Sequence, residues 1–332
     1  DCFTAPCAEQ CPIHQDIPEY LRLVGEGRYA EALGVILEKN PLPFITGTIC
    51  SHTCMSKCTR NFYDESIHIR DAKLVAAAHG YDALMASIRP TEKLPGKKAA
   101  IIGGGPTGIA AAYFLARGGV QATIFEREEK LGGVPRYVIP AFRISDEALD
   151  KDVALMERLG VEVKCGAPAP SVAELKKMGY THILMATGAW QAGELGIPGN
   201  VRGVIAWMKE MKQQVKPCLE GHVVVVGAGN TAMDAARVAK RMGAASSTIV
   251  YRRTKKEMPA DEHELKLAID EGVNLVELAA PVEQKDGRLI CNQMKLGEPD
   301  ASGRRSPVAT GETFEIPCDL VLSAIGEKVD AK

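Results

Sequence analysis

Six of the ten cysteines in this 332-residue chain stand within its first 58 positions. They form two groups of three: Cys2, Cys7 and Cys11, then Cys50, Cys54 and Cys58. Thiolates donate to soft metals, so this clustering points to a metal centre more than to a disulfide framework. Cys7-x3-Cys11-Pro12 repeats the closing half of a ferredoxin-type run, whose last cysteine commonly serves a second cluster. Zinc is the competing choice, because it closes with nitrogen or sulfur ligands and His14 and His52 are at hand. Two groups of three suit two cubane clusters better than one zinc, although two clusters ask for more ligands than six cysteines provide.

The second pattern with chemical content is a pair of glycine fingerprints. Ala99–Ile102 is a short apolar run suited to a buried parallel strand, and Gly103, Gly105 and Gly108 follow as G-x-G-x-x-G. The first glycine permits a tight turn, the second lets backbone approach a pyrophosphate, and the third lets helix pack on strand. Pro106 and Thr107 open a helix running to Arg117, whose N-terminal amides and dipole suit that anion. A second strand, Ala122–Phe125, ends in Glu126 and Arg127, and so sets a carboxylate where a ribose hydroxyl is read. Val223–Val226, then Gly227, Gly229, Asn230 and Thr231, restates the stretch, with Ala232 in place of the third glycine. In this copy the second strand, Thr248–Tyr251, ends in Arg252 and Arg253, with Lys255 and Lys256 beyond. A carboxylate bonds a free hydroxyl, whereas guanidinium groups fork onto a 2′-phosphate, so the second copy predicts NADP(H) over NAD(H). His263, near the expected nicotinamide mouth, reads as an ordinary exposed histidine, and no residue is singled out as catalytic. Cys165, Cys218, Cys291 and Cys318 are isolated, and the absence of C-x-x-C disfavours thioredoxin-reductase chemistry.

The elements that must position these residues follow from periodicity. Ile17–Lys39 and Asp71–Met85 carry helical apolar faces, and a helical hairpin over the first would return one cysteine group to the other. Asp150–Leu159 reads as an amphipathic helix and Val161–Cys165 as a strand. Ile183–Ala189 and Leu320–Gly326 are apolar strands running into glycine turns, the latter expected to carry the chain back to the first dinucleotide domain. Gly297–Gly311 reads as a surface hairpin or loop. The expected fold is α/β: a small all-α domain carrying the cysteines, then two Rossmann-like, doubly wound, three-layer domains. Their expected bounds are 1–95, 96–196 (rejoined by 320–332) and 197–319. Hydrophobic content of 46% and charged content of 25% are ordinary for a globular chain. A net charge of −2 gives no reason to expect nucleic acid or an anionic membrane, and no apolar stretch approaches the ~20 residues of a span. Metal-binding thiols suggest a reducing compartment, the cytoplasm. The chain opens on Asp1 and not on Met, so targeting signals are not legible.

A family resemblance becomes specific once the motifs are taken in order. They are the Cys2–Cys58 arrangement, GGGPTG (Gly103–Gly108), EKLGG (Glu129–Gly133), IPAFRIS (Ile139–Ser145), GAGNTAMDAAR (Gly227–Arg237) and YRRTKKEMPA (Tyr251–Ala260). Over essentially its whole length the chain resembles the glutamate synthase small subunit and the N-terminal part of dihydropyrimidine dehydrogenase. Most of all it resembles the selenate reductase-type iron–sulfur flavoproteins. The resemblance implies two [4Fe–4S] clusters, one on Cys2, Cys7, Cys58 and a cysteine upstream of Asp1, the other on Cys11, Cys50 and Cys54. The fourth ligand of the latter is Glu or Gln in relatives, near the position held here by Lys73, and a lysine ammonium has no lone pair to offer. The spacing Cys50-x3-Cys54-x3-Cys58 is also tighter than in relatives. FAD is implied at the first fingerprint, with Glu126 on the ribose, Gly132 and Gly133 beside the pyrophosphate, and Arg143 as a flavin contact. A further strand and closing helix are implied beyond Lys332. The implied activity is electron transfer between NADPH, FAD and the clusters, to or from a partner domain or subunit. The alternatives are a self-contained NADPH-dependent flavin reductase with structural zinc, and a non-catalytic NADP(H)-sensing module of a larger assembly.

Overall fold

The short helices of the N-terminal part follow from where apolar residues and breakers fall. In the computed structural model, which describes residues 4–301 and 303–329, α1 (Pro6–Gln10) opens on a proline and carries Cys7. Helix α2 (Ile17–Gly25) is opened by Asp16, whose carboxylate accepts the Glu19 N–H at 3.3 Å, and α3 (Tyr29–Leu37) follows. The continuous helical pattern over Ile17–Lys39 is therefore two helices. Gly25 and Gly27 flank the break, and the turn lets Leu23 and Ile36 face one core together with Ile17, Tyr20 and Ala32. Cys11 and Cys54 lie in that same core, with Ile69 and Ala76. Helix α4 (Pro43–Ile49) ends at Cys50; two 3₁₀ turns, Thr53–Lys57 and Thr59–Phe62, flank Cys58; α5 (Ile69–Ser87) completes the part.

The first sheet is parallel throughout. Its elements are β1 (Lys98–Ile102), α6 (Pro106–Arg117), β2 (Gln121–Phe125), α7 (Gly133–Tyr137), α8 (Asp146–Glu157), β3 (Glu162–Lys164), α9 (Val172–Lys177) and β4 (His182–Met185). The strand order is β3-β2-β1-β4, half of a doubly wound sheet, with the fingerprint glycines at the C-terminal end of central β1.

The second sheet repeats the plan and adds to it. It is built from β5 (Gln191–Ala192), β6 (Val201–Gly203), α10 (Val204–Lys212), β7 (His222–Val226), α11 (Asn230–Arg241), β8 (Ser246–Tyr251), α12 (Glu262–Asp270) and β9 (Asn274–Glu277). Then come β10 (Ala279–Lys285), β11 (Arg288–Pro299), β12 (Arg305–Pro317), β13 (Leu320–Ser323) and β14 (Glu327–Lys328). The parallel order is β6-β13-β7-β8-β9, and β10-β11-β12 form a separate antiparallel sheet. The Gly297–Gly311 stretch is the far end of the long β11–β12 hairpin.

Two compact units result, residues 1–137 with 141–188, and residues 138–140 with 189–332. The helical cysteine part and the first dinucleotide half thus share one unit, and the boundary falls after Gly188. The expected return of 320–332 to the first half needs correcting. Leu320–Ser323 inserts between β6 and β7, and Glu327–Lys328 pairs with Gln191–Ala192, all within the second unit. The reason is pairing: an apolar strand needs a ladder on both edges, and β13 fills beside β7 the place that β4 holds beside β1. Among the described residues no helix is long and apolar enough to cross a membrane.

Candidate functional site

The first glycine turn is held by steric necessity. Gly103 lies at φ +108°, and a Cβ on it would stand 2.3 Å from the carbonyl oxygen of Ala186, just beyond β4. A Cβ on Gly108 would stand 1.9 Å from the Gly103 carbonyl oxygen, so α6 lies directly over the turn. Pro106 opens that helix, and Thr107 follows in its first turn. Glu126, only 7% exposed, accepts the Gly104 N–H at 2.6 Å and the Glu128 N–H at 2.9 Å, so both carboxylate oxygens face backbone donors. The Gly132 N–H in turn donates to the Gly104 carbonyl at 2.8 Å, and Gly133 abuts Gly105, where a Cβ would meet Cα at 2.8 Å. Gly103, Gly105, Glu126, Gly132 and Gly133 are thus brought together. Arg127 is exposed, 3.8 Å from Glu128, and Arg143 is half-buried before α8. Arg136, which sequence reasoning passed over, is buried beneath this loop and bonds the Leu131 carbonyl and Asp150. We expect Gly108→Ala to lower the unfolding free energy by about 3 kcal/mol, since backbone must move to admit the methyl. Denaturant unfolding checks this.

The second copy has the same seam. Gly227 lies at φ +143°, and a Cβ there would stand 2.2 Å from the carbonyl oxygen of Ala324, just beyond β13. Gly229 opens on clear space, and Gly227, Gly229, Thr231, Arg252, Ala280 and Ile325 line a cavity of about 600 Å³. Asn230 accepts the Asp261 N–H at 3.0 Å through Oδ1, and the Thr231 hydroxyl lies 3.3 Å from Glu327. Arg252 is exposed on the cavity wall. Beside it Arg253 is half-buried, and its buried Nε has no hydrogen-bond partner among the described residues. Arg252 therefore stands on the cavity wall where the first copy has a carboxylate already bonded to its own turn, while Arg253, next along the chain, is not among the residues lining that cavity.

The cysteine part gathers three of the predicted thiols around one core. Cys11 and Cys54 are buried in it, Cys7 packs against it, and Cys50 caps α4; Cys58 is also buried, and Cys2 lies outside the described residues. The described cysteines are unbridged. Gln15 donates to Cys11 Sγ at 3.6 Å while its own carbonyl accepts from Asn40 at 3.2 Å, and both amides are buried. The His52 N–H approaches Cys50 Sγ at 3.4 Å. Burial, with the neighbouring thiols, pushes Cys54 up to about 11 and draws Tyr20 upward as well. Among the described residues no three Cys, His, Asp or Glu side chains converge on one ion position, as a zinc site would need. Unbridged thiols in and around one core are the donors that iron–sulfur clusters take, so the chemistry of this donor set fits a cluster.

The cysteine part is tied to the first dinucleotide half by one side chain. Asp152, fully buried on α8, accepts the Phe44 N–H at 3.0 Å and the Ile45 N–H at 2.8 Å, and so caps the helix that leads to Cys50. Asp152→Ala leaves both donors buried without an acceptor. We expect it to cost about 2 to 3 kcal/mol in thermal or chemical unfolding and to lower the iron content of purified protein.

Comparison with known proteins decides the family. Residues 97–332 match the model of pyridine nucleotide-disulphide oxidoreductases. The chain belongs to that family. This oxidoreductase also carries an iron–sulfur part, since residues 1–82 match dihydropyrimidine dehydrogenase domain II, 4Fe-4S cluster. It is 43% identical to YgfK of Escherichia coli (strain K12), covering all of this chain and 33% of that protein. It is 37% identical to the NADPH-Fe(3+) oxidoreductase subunit beta of Geobacter sulfurreducens, over 99% of this chain and 52% of the relative. It is 32% identical to the glutamate synthase [NADPH] small chain of Escherichia coli (strain K12), over 98% of this chain and 74% of the relative. The oxidoreductase thus spans from a third to three quarters of the length of these relatives. The solved structure of Mycobacterium tuberculosis FprA in complex with NADPH shares the fold, with a TM-score of 0.61 at 20% identity over 72% of this chain and 71% of that one.

Proposed function

We propose that the chain passes electrons between NADPH, FAD and two [4Fe–4S] clusters, to or from a further domain or subunit, in a reducing compartment such as the cytoplasm. Cys2, Cys7 and Cys58, with one ligand from upstream, hold one cluster; Cys11, Cys50 and Cys54 hold the other. FAD lies at Gly103, Gly105, Pro106, Thr107 and Gly108, with Glu126 and Arg127 toward its ribose, Gly132 and Gly133 at its pyrophosphate and Arg143 toward the flavin. NADPH lies at Gly227, Gly229, Asn230 and Thr231, with Arg252 and Arg253 on its 2′-phosphate.

One observation carries this reading: two cradles of the same build end in opposite charge. Glu126 is anchored to its turn by two backbone N–H bonds, which suits it to accept from a hydroxyl and to repel a phosphate. Arg252 on the cavity wall offers the second cradle donors that a phosphate takes, and Arg253 beside it in the chain has a buried Nε without a hydrogen-bond partner among the described residues. Bound flavin converts a two-electron hydride into single electrons that iron–sulfur centres accept. The residues of this chain bind, orient and desolvate; no side chain is asked to move a proton. Anaerobic titration with NADPH tests the reading. Flavin and broad iron–sulfur absorption are expected to bleach together, and protein whose bands stay unchanged overturns it.

A further inference from the structure

Lys73 is the most deeply placed cation of the helical part. It sits in the second turn of α5 and is 3% exposed. Among the described residues no ion pair of it with a carboxylate is found; Ile69 and Ala76, on the same face of α5, pack in one core with Cys11 and Cys54, and Arg70 on the preceding turn reaches the Cys50 carbonyl. Asp152 also feels its charge, but both of its oxygens are held by the Phe44 and Ile45 N–H groups. Burying an ammonium without a counter-charge is costly, several kcal/mol even after relaxation. The position makes physical sense once the sulfurs gathered against this face of α5 are anionic.

The rest of the lining agrees. Gln15 donates to Cys11 Sγ and is oriented for that by Asn40; the His52 N–H points to Cys50 Sγ; Arg70, on the turn of α5 before Lys73, donates to the Cys50 carbonyl at 3.3 Å. Every polar contact named here brings a hydrogen or a positive charge toward the sulfur side. An ammonium offers three donors and no lone pair, so it cannot replace a ligating carboxylate or amide.

We propose that Lys73 is the fixed counter-charge of the cluster on Cys11, Cys50 and Cys54, a positioning residue that raises the cluster's reduction potential without ligating iron. The proposal rests on the cluster reading above. A reduced cluster carries one more negative charge than an oxidised one, so a cation held in a low-dielectric site stabilises the reduced form more.

The test is a redox titration of the holoprotein followed by electron paramagnetic resonance, with iron and acid-labile sulfide measured on each sample. For Lys73→Met, with iron and sulfide retained, the reduced-to-oxidised ratio of one cluster at fixed potential is expected to fall about tenfold. That is a shift of about 59 mV for a one-electron couple. Lys73→Arg is expected to stay close to the parent protein. Pulsed resonance on the parent protein is expected to show no strongly coupled nitrogen. Equal potentials in the Met variant and the parent overturn the proposal, as does strong nitrogen coupling that Lys73→Arg abolishes. If the Met variant loses its iron, Lys73→Arg carries the test: iron and potential kept support a charge role, and loss of one cluster's iron indicates ligation. Absence of sulfide from the parent protein defeats the cluster reading itself, which none of the other outcomes does.

Discussion

Replacing Arg252 and Arg253 together by Ala is expected to weaken NADPH binding about 100-fold while leaving NADH within about threefold. Hydrogen bonds to charged groups are worth about 1.5 to 3 kcal/mol each, so losing two removes roughly 3 kcal/mol or more, and 1.4 kcal/mol is a factor of ten. The selectivity follows from position. Both arginines succeed β8, whereas the proposed pyrophosphate site, common to either nucleotide, is the glycine turn at Gly227 and Gly229. Arg253→Ala alone is expected to account for a large share, since its Nε is already stripped of water and has no internal partner to lose. Equilibrium binding of the two nucleotides, measured side by side, checks this; parallel losses for both would remove the 2′-phosphate assignment.

The largest effect on stability is expected at Arg237. Its guanidinium is buried on α11, donates to Glu271 at 2.7 and 3.0 Å, and reaches the buried Glu264 at 3.4 Å. Arg241 joins the same Glu271 from the exposed side. Removing a buried guanidinium takes two bonds from Glu271, which keeps only Arg241, and one from the buried Glu264, at a cost of about 3 kcal/mol, so Arg237→Ala is expected to unfold the second unit at markedly lower denaturant. Arg241→Ala, about half exposed, is expected to cost at most about 1 kcal/mol. There is a pH signature too. The bonds from Arg241 and then Arg237 hold the Glu271 carboxyl down at about 2. That contribution is present above the ordinary carboxylate range and is lost as pH falls through about 2, so acid unfolding of the parent is expected to be steeper than that of a variant carrying both Arg237→Ala and Arg241→Ala. Because α11 begins with Asn230 and Thr231, loosening its far end is expected to weaken nucleotide binding as well.

What could be read from the residues alone, and what could not, divides by range. Gly103, Gly108 and Gly227 announce themselves because a tight turn under a helix admits no side chain, a purely local demand. The family and the iron–sulfur part were likewise legible, through motifs in fixed order. The reversal from Glu126 to Arg252 was visible because both follow the second strand of the same repeat. Leu320–Ser323 was legible as a strand, but its sheet was not, since the choice between β1 and β7 as neighbour is a contact across the fold. The helical hairpin over Ile17–Lys39 was legible, but not the place of its turn at Gly25–Gly27, because the apolar period resumes in phase after it. Asp152 looked like one more acid on an amphipathic helix, and Gln15 and Asn40 like polar residues without a motif. Their roles depend on groups brought close only by packing.

The Asp152 cap has a consequence for the order of assembly. Its acceptors serve the backbone of Phe44 and Ile45 from 108 and 107 positions further along the chain. During synthesis the cysteine segment leaves the ribosome well before the carboxylate that closes α4 has been made. Iron and sulfide delivered to the nascent chain would meet Cys50 on an uncapped helix. A cluster built at Cys50 is therefore expected to form after translation, once the dinucleotide half has folded.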